Sequence, residues 1–240
     1  MRGLSGVGAL ISVVGLATAA AVSGLASAAA AATVSPVQQV AAAVNAGVGE
    51  HSVRWVSTES ANGVKLGIIS DVGRAAGSQI ITWTEGSSEA ILSVVLVNGT
   101  AYLIGNGAGL YIQGFTTAAA TKEANKWIAV KPSSAAYASA AAGLTISTAL
   151  DPLRMAGPVS VVPGATILGV STRGFKGTSK PFQGQPGAAE KLYLRSSGAP
   201  LPVEAVQNNT TTVFDNWGEP IKVTAPLGAI PIQAGWLRSK

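Results

Sequence analysis

Between residues 52 and 104 the chain alternates strand-length stretches with very short joints, and this pattern constrains its fold more than anything else in it. Residues 52–59, 64–72, 79–85 and 89–97 are rich in Val, Ile, Thr and Trp, and they are separated by Asn62-Gly63, by 73–77 and by Gly86-Ser87. Joints this short can only connect antiparallel neighbours, so the segment predicts a meander. Asn98-Gly99 leads into a fifth strand over 100–104, because Asn-Gly tolerates the positive φ angles of a type I′ hairpin turn. Ile68-Ile69, Ile80-Ile81, Ile91-Leu92 and the run 94–97 are apolar at both parities, unlike strands with one wet face. Both faces are therefore expected to avoid water. One could pack on helices while the other lines a cavity or lies under a partner chain; a solid sandwich core answers to the same pattern.

Around the meander the signals change. Residues 34–48 read as an amphipathic helix: Pro36 sits in its first turn, Val37, Val40, Ala41 and Val44 fall at helical spacing, and Gly47 and Gly49 end it. Residues 116–125 and 133–142 are Ala-rich and open on Thr or Ser, predicting two short helices that flank a strand at 126–130; a further helical turn is expected over 146–155. Strands are expected again at 165–172, 191–196, 201–207, 211–214 and 221–224, with Gly198-Ala199-Pro200 as a hairpin joint and 178–187 as a mobile loop. Gly105-Asn106-Gly107-Ala108-Gly109 lacks the glycine spacing of a dinucleotide fingerprint, so it reads as a loose hairpin with 110–112 continuing as strand.

Composition excludes much chemistry. The 240 residues contain no cysteine and one histidine, so disulfides, thiolate metal sites, cysteine nucleophiles and His-clustered metal sites are ruled out. Sixteen Lys and Arg against 11 Asp and Glu give a formal charge of +5, scattered without a run of three, which argues against nucleic-acid binding. His51, the one imidazole, lies beside Glu50 in a position more typical of a surface residue. No Gly-x-Ser-x-Gly elbow and no Ser-x-x-Lys pair occurs. No catalytic residue, metal or cofactor is expected. The five tryptophans, Trp55, Trp83, Trp127, Trp217 and Trp236, read as core or rim anchors.

The first segment predicts export. Arg2 precedes an uncharged stretch from Leu4 to a small-residue tract ending at Ala32, the order of a signal peptide, with cleavage expected near Ala32. An uncleaved membrane anchor is the alternative. Residues 33–240 then form one domain, whose stability must come from its core.

Several segments together resemble the mycobacterial LppX/LprG-type envelope lipoproteins. They are the strand end Val97-Asn98-Gly99-Thr100-Ala101-Tyr102-Leu103, the Lys126-Trp127-Ile128-Ala129-Val130 strand, Gly198-Ala199-Pro200-Leu201-Pro202-Val203, and Val213-Phe214-Asp215-Asn216-Trp217-Gly218-Glu219-Pro220 running on to Ala225-Pro226. That resemblance implies an α+β, LolA/LolB-like fold: a strongly curved, incompletely closed antiparallel half-barrel covered by short helices, with an apolar cavity for acyl chains. It brings no catalytic residues. The family's lipid-attachment cysteine is missing, so acyl anchoring is excluded and an actinobacterial-type protein, secreted or associated with the cell envelope, is expected. The tail from Leu227 has no counterpart in the family pattern.

Under that implication the cavity lining is Trp55, Leu66, Ile68, Ile81, Trp83, Leu92, Val94, Leu96 and Tyr102, with Leu144 and Leu150 in the lid. The expected ligand is the acyl part of a lipid or lipoglycan, with transient contact to a membrane surface or envelope transport proteins, and the expected state is a monomer. A continuous apolar void above about 1,000 Å³ would suit a multi-chain lipid. The rival expectation is a non-enzymatic structural or partner-binding envelope protein with no lipid ligand.

Overall fold

The structure is a computed structural model describing residues 34–181 and 186–238; the expected leader, residues 1–32, lies outside the described residues. Helix α1 (Pro36–Gly49) opens with a capping box in which Ser35 and Gln38 satisfy each other's backbone N–H groups. Its buried stripe is Val40, Ala43, Val44 and Gly47, one helical face; Val37 and Ala41, expected on that stripe, are not buried. The meander follows as β1 (Ser52–Ala61), β2 (Val64–Gly73), β3 (Gly77–Glu85), β4 (Ser88–Val97) and β5 (Thr100–Gly105), each strand antiparallel to the last. Asn98 and Gly99 take φ values of 51° and 71°, as a tight hairpin between right-twisting strands requires.

Three short helices and a short strand come next: α2 (Gly107–Ile112), α3 (Thr117–Lys122), β6 (Ile128–Val130) and α4 (Tyr137–Ala140). Then follow α5 (Ile146–Leu150), a 3₁₀ turn (Asp151–Leu153), β7 (Met155–Val162), β8 (Thr166–Ile167), β9 (Val170–Ser179), β10 (Ala189–Arg195), β11 (Pro202–Gln207), β12 (Thr210–Asp215) and β13 (Ile230–Pro231). The described residues form a thirteen-stranded curved sheet in the order β13-β6-β5-β4-β3-β2-β1-β12-β11-β10-β9-β7, with β8 paired to β9. Its ends, β13 and β7, do not pair, so the sheet is open. The β13–β6 contact is parallel; the other described pairings are antiparallel.

One face of the sheet carries the buried side chains and the helices, and is called the inner face here. Two filled clusters occupy it. The first joins Val40 and Val44 of α1 and Ile146 and Leu150 of α5 to Val53, Val72, Phe175, Leu192 and Phe214 of the strands. The second joins Leu110, Phe115, Ala119 and Leu144 to Leu92, Val94, Leu96, Leu103 and Ile128. Each fully buried Leu, Ile or Phe contributes about 1.5–3 kcal/mol relative to exposure, so these clusters carry the stability of a chain without disulfides.

Several expectations are corrected. Gly107–Ile112 form a helix capped by Asn106, not a hairpin and strand. Asn106 Oδ1 accepts from the N–H of Gly109 (2.8 Å) and of Ile91 (3.1 Å), while its amide donates to the Glu89 carbonyl (2.9 Å), capping α2 and fastening it to β4. Gly109 lies so close to the Ile91 carbonyl that a Cβ there would collide with it. Asn106→Ala therefore removes a helix cap and two ties to the sheet, and is expected to cost about 2 kcal/mol in chemical denaturation. The strand 165–172 is broken by a turn with positive φ at Leu168 and Gly169. β7, and the extension of β9 to Ser179, were not anticipated; residues 182–185 of the expected loop 178–187 lie outside the described residues. Residues 221–224 form no strand, since their chain crosses the strand ends while the last pairing falls to Ile230 and Pro231.

Candidate functional site

The inner face is not covered evenly. Residues paired directly across strands share a face, so the register assigns each expected lining residue. Trp83 pairs with Leu66 and Ile81 with Ile68; Leu92, Val94 and Leu96 pair with Ile81, Gln79 and Gly77; Trp55 pairs with Ser70 beside Gln79. All eight of the expected residues from Trp55 to Leu96 thus lie on the inner face. Leu92, Val94 and Leu96 are buried in the second cluster, Trp55 packs against the first, and Leu144 and Leu150 are fully buried, one in each cluster. Leu66, Ile68 and Trp83 belong to neither cluster and are half-buried, with Ile81 beside them. These four side chains form an apolar patch between the two filled regions.

Tyr102 does not join them. It pairs with Val95 and Ala129, which puts it on the outer face. The two-residue turn at 98–99 pairs Val97 with Thr100, so residue 102 shares the parity of 97 and not that of 96.

From the patch the inner face becomes polar. One row of direct partners runs Trp83–Leu66–Glu59–Thr210–Gln207–Glu190, spanning β3 to β10. At about 4.8 Å per strand the row covers about 24 Å of sheet. Thr210 donates to Glu59 (3.1 Å), Thr212 donates to Ser57 (3.0 Å) and Gln207 donates to Ser179 (2.9 Å). Glu190 is 4% exposed and has no side-chain hydrogen bond among the described residues; burial pushes its carboxyl from 4.5 up to about 7. It lines a cavity of about 190 Å³ together with Trp55, Leu153, Gln207, Thr212 and Phe214. The indole N–H of Trp55 is buried without an acceptor among the described residues. Sequence reasoning missed this polar half. Its trace was there: Glu190 shares the parity of Leu192 and Leu194, an acid on an otherwise apolar face.

A second cavity, about 280 Å³, opens where residues 216–223 fold over the strand ends; Arg54 and Asp71 pair there at 3.2 Å. Both cavities are smaller than the 300–1,000 Å³ usual for ligand pockets, and neither is the continuous void of 1,000 Å³ that a multi-chain lipid would suit. His51 is exposed and belongs to neither cavity. Among the described residues no cluster of three His, Asp or Glu could hold a metal, and no helix is long and apolar enough to cross a membrane.

The arrangement of one long open sheet with short helices on a single face has a counterpart among solved structures. LprF from Mycobacterium bovis superposes with a TM-score of 0.53 at 15% identity, over 80% of this chain and 97% of that one. The chain has the LprF fold. The resemblance read from the sequence thus reappears in three dimensions, as a likeness of fold. Two further structures are similar more loosely: the Mycobacterium tuberculosis lipoprotein LppX (TM-score 0.48, 14% identity, 78% of this chain and 97% of that) and a DUF1329 family protein from Desulfovibrio piger ATCC 29098 (0.34, 10%, 79% and 95%). No protein-family model matches the chain, and no curated protein matches it in sequence. Unlike a lipoprotein, this LprF-fold chain has no cysteine to carry a thioether-linked lipid.

Proposed function

We propose that the chain is an exported cell-envelope protein of one domain, residues 33–240, that binds an acyl chain of a lipid or lipoglycan and shields it from water. On this reading residues 1–32 are its cleaved leader and no catalysis is involved. The observation that carries it is the patch Leu66, Ile68, Ile81 and Trp83: apolar, inward, and left half-uncovered between the two filled clusters. Such a surface gains about 0.8 kcal/mol per buried methylene, so a dozen methylenes offer about 10 kcal/mol before the costs of association. The chain would lie along the patch as in a trough, its end or headgroup reaching the 190 Å³ cavity.

Mass spectrometry of an organic extract from natively purified protein tests this directly, and stoichiometric lipid is expected. Ile68→Lys places a charge on the trough at a half-exposed site; it is expected to weaken binding of a fluorescent alkyl probe by tenfold or more (about 1.4 kcal/mol) with unchanged circular dichroism. A lipid-free wild-type protein that also ignores the probe overturns the proposal. The rival reading, a partner-binding envelope protein, is favoured by the outer face, where Ile69 and Ile80 pair directly at 41% and 48% exposure. Loss of a partner on Ile80→Lys, with no lipid in the extract, would establish it instead.

A further inference from the structure

Glu190 is an anomaly that acyl binding alone does not explain. The residue is 4% exposed, its carboxyl has no donor among the described residues, and it lines a cavity rather than packed protein. The groups around it offer more acceptors than donors. Gln207 has committed one of its two amide N–H groups to Ser179, leaving the other and its carbonyl oxygen; Thr210 and Thr212 have committed their hydroxyl protons to Glu59 and Ser57, leaving lone pairs. One donor, the indole N–H of Trp55, lacks an acceptor among the described residues.

Among the described residues no cation lines the cavity. On the elements packed round it, Asp151 and Arg154 pair with each other at 3.1 Å, and Arg154 also donates to Asn45. Lys176 and Lys191 pair on the outer face, where Glu204 lies as well; Arg173 and Lys180 are exposed, and α1 and α5 carry no charged residue. Glu59, one strand beyond Thr210, adds a second carboxylate on the same row. An anion entering here would meet like charge.

We infer that this cavity is a headgroup subsite for an uncharged, hydroxyl-bearing amphiphile, with Glu190 accepting a ligand hydroxyl and Trp55 donating to one. A hydroxyl both donates and accepts, as this set of groups demands, whereas an ammonium could not accept from Trp55. The volume of 190 Å³ is that of about six water molecules, enough for a glycerol-sized group. The inference rests on the acyl-binding reading and adds the polar end of the ligand to it.

The test compares two probes with the same chain length, 1-monopalmitoylglycerol and hexadecanesulfonate, by calorimetry on the unmodified protein and on Glu190→Gln. At pH 8.5 the wild type is expected to favour the glyceride by about tenfold, the scale of one close like-charge contact. Glu190→Gln should tighten sulfonate binding by about the same factor, a gain that simple loss of structure does not produce. Lowering the pH of the wild-type protein to 6, where Glu190 takes up a proton, should have the same effect on the sulfonate without any substitution. If the wild type binds both probes equally, or prefers the sulfonate, or if neither the substitution nor the pH change strengthens sulfonate binding, the headgroup subsite is overturned while acyl binding stands. If neither probe binds, acyl binding itself fails and the subsite falls with it.

Discussion

Replacing Glu190 by Gln is expected to raise folding stability by less than about 1 kcal/mol at pH 5 and by about 3 kcal/mol at pH 8. In the folded chain burial pushes this carboxyl from 4.5 up to about 7. Between those values the folded state holds a proton that the unfolded chain has lost, so wild-type stability falls as pH rises from 4.5 to about 7 and levels off above. Below 4.5 both states are protonated and no penalty remains. At about 1.4 kcal/mol per pH unit, the gap of two to three units amounts to about 3 kcal/mol. The amide has nearly the same shape and never ionises, so this site's share of the pH dependence should disappear from its curve. For a chain of this size the gain at pH 8 corresponds to about 6–12 °C in melting temperature. Thermal melts from pH 4.5 to 8.5 on both proteins check this. Parallel curves would mean that the cavity around Glu190 is wetter than its 4% exposure indicates.

The second large effect is at Phe115. Its ring is wholly buried in the cluster under α2 and α3 and lies 6.4 Å from Trp236, while its backbone bridges Leu237. Neighbouring ties hold the same stretch: the Thr116 N–H donates to the Trp236 carbonyl (2.8 Å), the Arg238 N–H to Gly114 (2.9 Å), and the Arg238 guanidinium stacks 4.2 Å above the Tyr111 ring. Phe115→Ala should cost about 3–5 kcal/mol, a large part of a typical domain's 5–15 kcal/mol. It should also free the C-terminal strap locally, so that amides 230–238 lose protection from hydrogen exchange more than those of β1 to β4 do. A loss below 1 kcal/mol with unchanged protection would show that the strap is held by its hydrogen bonds alone.

The meander was legible because its joints are short: once Asn62-Gly63 and Asn98-Gly99 turn the chain, pairing and face follow with little freedom. α1 was legible because Pro36, the apolar spacing and the closing glycines agree. What was not legible depends on contacts distant in sequence. The helical state of 107–112 is set by Asn106 reaching Glu89 and Ile91 on another strand, so its glycines looked like a loop. β7 and the far half of β9 are strands because they pair; Gly174, Lys176 and Gly177 carry little intrinsic strand signal. The apolar half of the candidate site could be read from the period of two. The polar half could not, because Glu59, Thr210, Gln207 and Glu190 come from four strands that only the register brings into line.

The strap also finishes the sheet. Ile230 and Ile232 donate their N–H groups to the Trp127 and Ala129 carbonyls, so β6 offers those acceptors to nothing else. At the opposite margin β7 carries Pro158 and a break in register between Ala156 and Ser160, which spoils it as a template. A sheet whose two rims are both blunted can be crowded at high concentration without growing end to end into fibrils, and shortening the chain before Ile230 would remove that protection on one side.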